Sequence, residues 1–295
     1  MKIKQTGFTL VELMIGLLLS TVLIAGIAKV FIDSGNSFRK QKTLSYLVED
    51  GRYVQEVLAK EFRRLGFLLN RYAAEKFPSD IFKTDNNVLG SGLNLASEEY
   101  VSGGFNDAGF GGDAFDINHI VFRYQLNDSN DLSSTDYAAS PCTRDISLTA
   151  GEDPAQQKIV VTLYFYVAFD TTLATPVLYC KAKRDNLDDS SKKVSSAIPL
   201  ISNVEKLFVL YGIDTDADDY ANQYLRADQV NTADWKNNVV SVRLYLVLAS
   251  EEPHVILKTP GYNIDDRSYD VNSPADKRLY KVFTSTIAFR NHYYE

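Results

Sequence analysis

Lys4-Gln5-Thr6-Gly7-Phe8-Thr9-Leu10-Val11-Glu12-Leu13 leads into a long apolar run, and how that junction is read decides the fold. From Phe8 to Ala28 the only charged side chain is Glu12, and everything between Leu13 and Ala28 is apolar, Gly, Ser or Thr. With a few residues past Lys29 the stretch reaches the roughly 20 residues that cross a bilayer as a helix. A carboxylate in such a helix is unfavourable, by about 2.5 to 3.5 kcal/mol at the bilayer centre and less near the interface, so Glu12 asks for a partner. A secretory signal peptide also starts basic and turns apolar, and Leu23-Ile24-Ala25-Gly26 imitates its cleavage site. The charge at the front of the apolar region counts against that reading. A plain signal anchor leaves Gly7, Phe8 and Glu12 to chance.

The totals set bounds on the rest. At 295 residues with 45% hydrophobic content, the chain is long enough for a sizeable core in one large domain or two small ones. Its formal charge is −7, and loss of a seven-residue leader with two lysines leaves 29 basic side chains against 38 acidic, or −9. That balance speaks against a general nucleic-acid surface, which needs clustered Lys and Arg. Eighteen Tyr and 16 Phe against two Met and one Trp point to a β-rich body. If that body lies outside the cytoplasmic membrane, Cys142 and Cys180 are expected as one disulfide; two buried free thiols are the other reading. No C-x-x-C element supports redox or zinc chemistry.

No proline precedes Pro78, so one helix can run from the membrane into the body. Past Ile32, Leu47, Gly51, Val54, Leu58, Phe62, Leu65 and Leu69 recur at helical spacing with charges between them, which predicts packing on a sheet. Lys29, where the apolar run meets water, can snorkel to the headgroups. Residues 73–117, rich in Gly, Asn, Asp and Ser and holding Gly103-Gly104, read as a long loop with short strands. Strands are expected at Ile117–Leu126, Ile159–Phe169, Val177–Lys183, Val204–Ile213, Val239–Ala249 and Leu279–Phe289, six to eight in all. The polar stretch Asn127–Pro154 places Cys142 in an exposed connection. The fold class is α+β: a long N-terminal helix, half transmembrane and half amphipathic, on a largely antiparallel sheet.

Asp214, Asp216 and Asp218, with Tyr220 able to offer a carbonyl and Asn222 a side chain, alternate oxygen donors as a calcium loop does. The EF-hand glycine and bidentate glutamate are replaced by Asp219 and Leu225, so a solvated acidic turn is the competing and favoured reading. His119, His254 and His292 lie in no zinc spacing, and no nucleophile elbow, phosphate-binding loop or dinucleotide fingerprint occurs. No catalytic residue is assigned.

The basic leader, Gly7, Phe8, and Glu12 as fifth residue from Phe8 resemble the class III signal of type IV prepilins and pseudopilins. The resemblance implies that a prepilin peptidase cuts after Gly7 and methylates Phe8, and that Glu12 attracts a neighbouring subunit's N-terminal amine. It divides the chain into a leader (1–7), a transmembrane assembly half of the helix (8–32), an amphipathic half (33–71) and a periplasmic β-rich body (72–295). Major pilins often carry a helix proline near the position of Lys29. Glu49-Asp50-Gly51-Arg52-Tyr53 through Arg63-Arg64-Leu65-Gly66-Phe67 resembles the helix end of the PilW family of minor pilins. Tyr211-Gly212-Ile213-Asp214-Thr215-Asp216, Val239 to Leu244 and Tyr280 to Asn291 resemble further elements of that family.

The resemblance implies a non-enzymatic subunit that helps initiate a type IV pilus or forms part of its tip, and supports twitching motility and adhesion. Its implied partners are other minor pilins, the major pilin, a pilus-tip adhesin and the inner membrane. It would sit in the inner membrane before assembly and in the filament afterwards. A J-type minor pseudopilin of a type II secretion system shares the signal, helix and body. An anchored periplasmic enzyme or carbohydrate-binding module is the reading from another class.

Overall fold

A computed structural model describes residues 9–68, 81–106, 117–126, 140–148, 151–154, 157–256, 261–264, 267–269 and 276–291. Helix α1, Leu10–Phe62, runs unbroken for 53 residues, about 80 Å at 1.5 Å per residue. Without proline no turn loses its hydrogen bond, so the membrane-type half and the amphipathic half are one rod. Its first body-facing buried residue is Leu47, followed by Gly51, Val54, Leu58, Glu61 and Phe62. The helical spacing seen in the sequence thus selects the buried face.

The helix ends short of residue 71, for a local reason. Gly66 takes φ +71°, a left-handed conformation that glycine adopts without the Cβ clash of other residues. Beside it Asn291, just past the last strand, donates through Nδ2 to the carbonyls of Arg63 (3.3 Å) and Leu65 (3.1 Å). Carbonyls at the end of a helix have no partner of their own. The C-terminal end of the body therefore closes the helix.

The body holds two larger antiparallel sheets and a small hairpin. The first has the order β1 (Val101–Asn106), β2 (Ile117–Gln125), β3 (Ile159–Asp170), β4 (Thr175–Asn186), β5 (Lys192–Val194), with β6 (Ile198–Ser202) also on β4. The second has the order β12 (Tyr280–Ala288), β9 (Val239–Ala249), β7 (Val204–Ile213), β8 (Gln223–Leu225). The hairpin pairs β10 (Tyr262–Ile264) with β11 (Arg267–Tyr269). Twelve strands among the described residues exceed the six to eight expected, because three-residue strands carry too little periodicity to read.

Alternation fixes which side of each strand is buried. Val161, Leu163, Phe165 and Val167 of β3 join Val209, Tyr211, Leu244 and Leu246 of the second sheet and the inner face of α1 in one core. The outer face of β9 and β7, with Phe208, Leu210, Tyr245 and Val247, is covered by Tyr262 and Ile264 of the hairpin. Gly51 marks a close approach of helix to sheet: a Cβ there would overlap the ring tip of Phe283 of β12. The phenylalanine tip occupies the space a larger helix residue would need.

Strand β1 is one of the short strands expected within the loop-rich residues 73–117. Its Gly103-Gly104 pair signals close packing, not a turn: the Tyr211 hydroxyl stands 1.8 Å from where a Gly103 Cβ would be. Cys142 corrects the exposed-connection reading. It lies fully buried in a short 3-10 helix, Pro141–Ile146, and is bonded to Cys180 of β4 with a Cα separation of 5.7 Å.

Arg123 of β2 pins the segment before β1 onto the sheet by donating to the carbonyls of Lys83, Ala96 and Glu99. Burial lowers the pKa of this guanidinium to about 10, well above neutral, so it stays charged.

Candidate functional site

The features to which function can be attached are the stem, the acidic loop and the junction of helix and body. Gly7 and Phe8 lie outside the described residues. The stem begins at Thr9, which caps α1 through a reciprocal pair: its hydroxyl accepts from the Glu12 backbone N–H (3.3 Å), and Glu12 Oε2 accepts from the Thr9 N–H and hydroxyl, both at 2.9 Å. Glu12 thus reaches back toward the helix N-terminus, where partial positive charge gathers. Apolar side chains from Leu10 to Ile32 are more than half exposed, among them Leu17 (58%), Ile24 (64%) and Phe31 (79%). Among the described residues none buries them, and α1 is the helix long and apolar enough to cross a membrane.

Where α1 meets the body, a groove of about 590 Å³ opens between the helix and the ends of β6 and β9. Phe38, Tyr46 and Leu47 supply its helix wall, Ile201 and Leu248 part of the other. Arg39 crosses it to Glu252 (3.0 Å) and the Pro253 carbonyl (3.3 Å). Both charges are at least half exposed, so this pair adds little stability. Asp50, in the same groove, has its pKa raised by burial and by the neighbouring charges of Glu49 and Glu251. The sequence offered one signal for this region, the aromatics Phe38 and Tyr46, which the amphipathic reading passed over.

The acidic loop follows β7. One carboxylate oxygen from each of Asp214, Asp216 and Asp218 lies within 4.8 Å of the others, a convergence of three His, Cys, Asp or Glu ligand atoms found at that place alone among the described residues. Asp214 is buried and its carboxylate accepts from the backbone N–H groups of Asp216 (3.0 Å), Ala217 (2.8 Å) and Asp219 (2.9 Å). Asn222, expected as a fourth donor, instead closes the loop: its side-chain oxygen accepts from Thr215 N (2.6 Å) and Oγ1 (3.0 Å), while Nδ2 donates to Asp216 (3.2 Å). Tyr220 points into solvent. The three carboxylates come together, with Asn222 hydrogen-bonded to one of them.

His119 is buried on β2, edge-on to Tyr164, and His254 is exposed in a loop; among the described residues neither belongs to a cluster of metal-ligating side chains. His292 lies outside the described residues.

A rod with a bare apolar half, its other half laid on an antiparallel body, is a pilin-like α+β architecture. In keeping with it, residues 2–28 match the family model for the prokaryotic N-terminal methylation motif, and residues 164–291 match that for type IV pilus-assembly protein W. The first match contains Gly7, Phe8 and Glu12; the second runs from the middle of β3 through the Asn291 cap. The helix-end segment 49–67 lies in neither. Neither curated proteins nor solved structures gave a match. The matched families are structural, not enzymatic. Together they support a type IV pilus-related pilin, anchored by its stem, processed at the N-terminus and interacting with other pilus components.

Proposed function

We propose that the chain is a minor pilin that helps initiate type IV pilus assembly or forms part of the tip complex. The observation that carries this is the stem, an apolar helix with its side chains more than half exposed and one carboxylate in its first turn, on a chain whose residues 164–291 match the model for type IV pilus-assembly protein W. After cleavage behind Gly7, the freed amine of a neighbouring subunit's first residue is the partner for Glu12. The neighbour competes with Glu12's own cap on Thr9. In a low-dielectric stem bundle a full charge pair outweighs that cap, and an unpaired carboxylate is disfavoured, so Glu12 selects the axial stagger.

The partners on this reading are the prepilin peptidase, other minor pilins, the major pilin and a tip adhesin. The body sits in the periplasm before assembly and in the filament after it. The match over residues 164–291 favours this over a J-type pseudopilin. Glu12→Ala should leave the membrane-inserted precursor at normal abundance and remove the protein from sheared pilus fractions. Unchanged incorporation of the variant would sink the proposal.

The converging Asp214, Asp216 and Asp218 carboxylates motivate a secondary proposal, that calcium adds stability to this loop. The loop's own N–H groups already hold Asp214 in place, so the ion would strengthen a formed turn and not create it. The expected outcome is a melting temperature higher in millimolar calcium than in chelator; equal values dispose of it.

A further inference from the structure

Among the described residues outside α1, large apolar side chains stand exposed at Phe169, Leu173, Val194 and Tyr220, and the first two flank the turn between β3 and β4. Phe169 (50% exposed) continues the inward row of Leu163, Phe165 and Val167 past the point where the core ends. There it lines a small open cavity with Pro176, Ala249 and Tyr280. Leu173 (57% exposed) is held outward by a built turn. The Asp170 carboxylate accepts from the backbone N–H groups of Thr172 (2.8 Å) and Leu173 (3.0 Å) and from the Tyr179 hydroxyl (2.6 Å). Those donors are satisfied within the turn, so an apolar surface can cover the tip without stranding them.

The turn lies at the end of the body nearest the membrane. At the far end, the Gln125 N–H of β2 donates to the Phe67 carbonyl just past α1, and Gln125 pairs with Val160 of β3. From Val160 the strand runs ten residues to Asp170, about 33 Å along the body. At the near end, Thr175 Oγ1 donates to Asn203 Oδ1 (2.9 Å), as does Arg278 Nη1 (3.0 Å), which also reaches the Ser250 carbonyl (3.0 Å). Asn203 and Ser250 border the groove that Arg39 crosses to Glu252. Arg39 stands seven residues, about 10 Å, beyond Ile32, where the apolar run ends. The headgroup layer is about 5 to 8 Å deep, so with Ile32 at the hydrocarbon edge and the rod upright this rim clears it by ~2 to 5 Å. A tilt of about 20°, ordinary for a single membrane helix, closes that gap on one side.

We infer that the β3–β4 turn is a second membrane contact, with Leu173 and Phe169 entering the headgroup layer of the leaflet from which the stem emerges. Continuity with the stem names the occupant: the rim that carries the turn faces the bilayer, and lipid is the apolar material within its reach. The inference rests on anchoring by the stem and goes beyond the pilin reading. A stem alone leaves the body free to rotate about the rod, whereas an interfacial anchor away from the axis fixes both tilt and rotation. The unassembled subunit is then held in one orientation, and the contact is given up when the subunit leaves the membrane.

The test uses the full chain in nanodiscs of phosphatidylethanolamine and phosphatidylglycerol. Cys142 and Cys180 are bonded to each other, so one introduced cysteine is the free thiol for an environment-sensitive nitrobenzoxadiazole dye. Single variants Leu17→Cys, Phe169→Cys, Leu173→Cys and Val194→Cys are compared; Val194 pairs with Lys183 in the half of β4 away from the turn. Dye at 169 and 173 should emit to the blue of dye at 194 and be quenched by lipids carrying a nitroxide on the headgroup. Dye at 17, quenched by acyl-chain nitroxide, reports the anchor separately. A quenched stem with 169 and 173 behaving as 194 overturns the inference and leaves the anchor intact; an unquenched stem overturns both. To exclude insertion driven by the dye, the label is moved to Thr171→Cys, a polar site on the turn. Adding Leu173→Asp there should abolish its quenching while the melting temperature stays that of the parent, since Leu173 touches no core residue. Quenching that survives Leu173→Asp overturns the inference.

Discussion

Breaking the Cys142–Cys180 bond, by reductant or by Cys142→Ser/Cys180→Ser, is expected to lower stability by about 4 kcal/mol. The bond closes a segment with a sequence separation of 38, and both partners are fully buried. Cutting it releases the unfolded chain from a long loop while exposing nothing new in the folded one, so the chain-entropy figure is the appropriate scale and also its ceiling. Other contacts keep the segment in place without the bond: the Ser140 hydroxyl accepts from the Cys142 N–H, and Ser196 Oγ donates to Asp145. For a body of this size the loss corresponds to a fall in melting temperature of about 8 to 16 °C. Calorimetry of the full chain in detergent with and without reductant reads it directly. A shift smaller than about 2 °C would show that the segment is held by its other contacts.

Glu152→Ala should cost about 3 to 5 kcal/mol. Its carboxylate meets Arg184 at 2.7 Å, and the two side chains are 4% and 2% exposed. Removing the acid leaves a guanidinium in the core with the Ser147 carbonyl as its remaining described acceptor at Nη1. The penalty is that of an unpaired buried charge, not the worth of the pair. Replacing both, as Glu152→Leu/Arg184→Leu, should therefore recover most of the loss. Urea titrations of the two variants decide it: a double variant as unstable as Glu152→Ala would mean the pair itself carries the stability. Because Cys142, Ser147 and Glu152 all fasten one segment to β4, the two predictions are not additive.

The long-period features of this chain were legible before any coordinates. Apolar spacing from Leu47 to Leu65 named the buried side of α1, and the apolar-rich runs Val204–Ile213 and Val239–Ala249 coincide with β7 and β9. What escaped reading depends on contacts distant in sequence. Gly103 sits in a strand because Tyr211 needs its space, and no pattern within residues 73–117 could announce a tyrosine a hundred positions away. Cys142 is buried because a polar stretch is folded inward by β4 and its disulfide, although its own composition is that of a surface loop. The helix ends at Phe62, and Asn291 caps it from the other end of the chain.

The candidate site divides the same way. Its chemistry-bearing types were visible, since three aspartates at alternate positions are a local pattern. The role of Asn222 was not, because a side-chain amide can offer its oxygen to an ion or to Thr215, and the backbone of the turn decides between them.

The account depends on a stem that is trimmed, kept and used for assembly. Mass spectrometry of the N-terminal peptide from membranes or sheared filaments tests this most directly. It should find a chain starting at N-methylated Phe8 with the apolar helix attached; a chain starting at Met1, or one starting past Ala25 with the stem removed, would contradict the account.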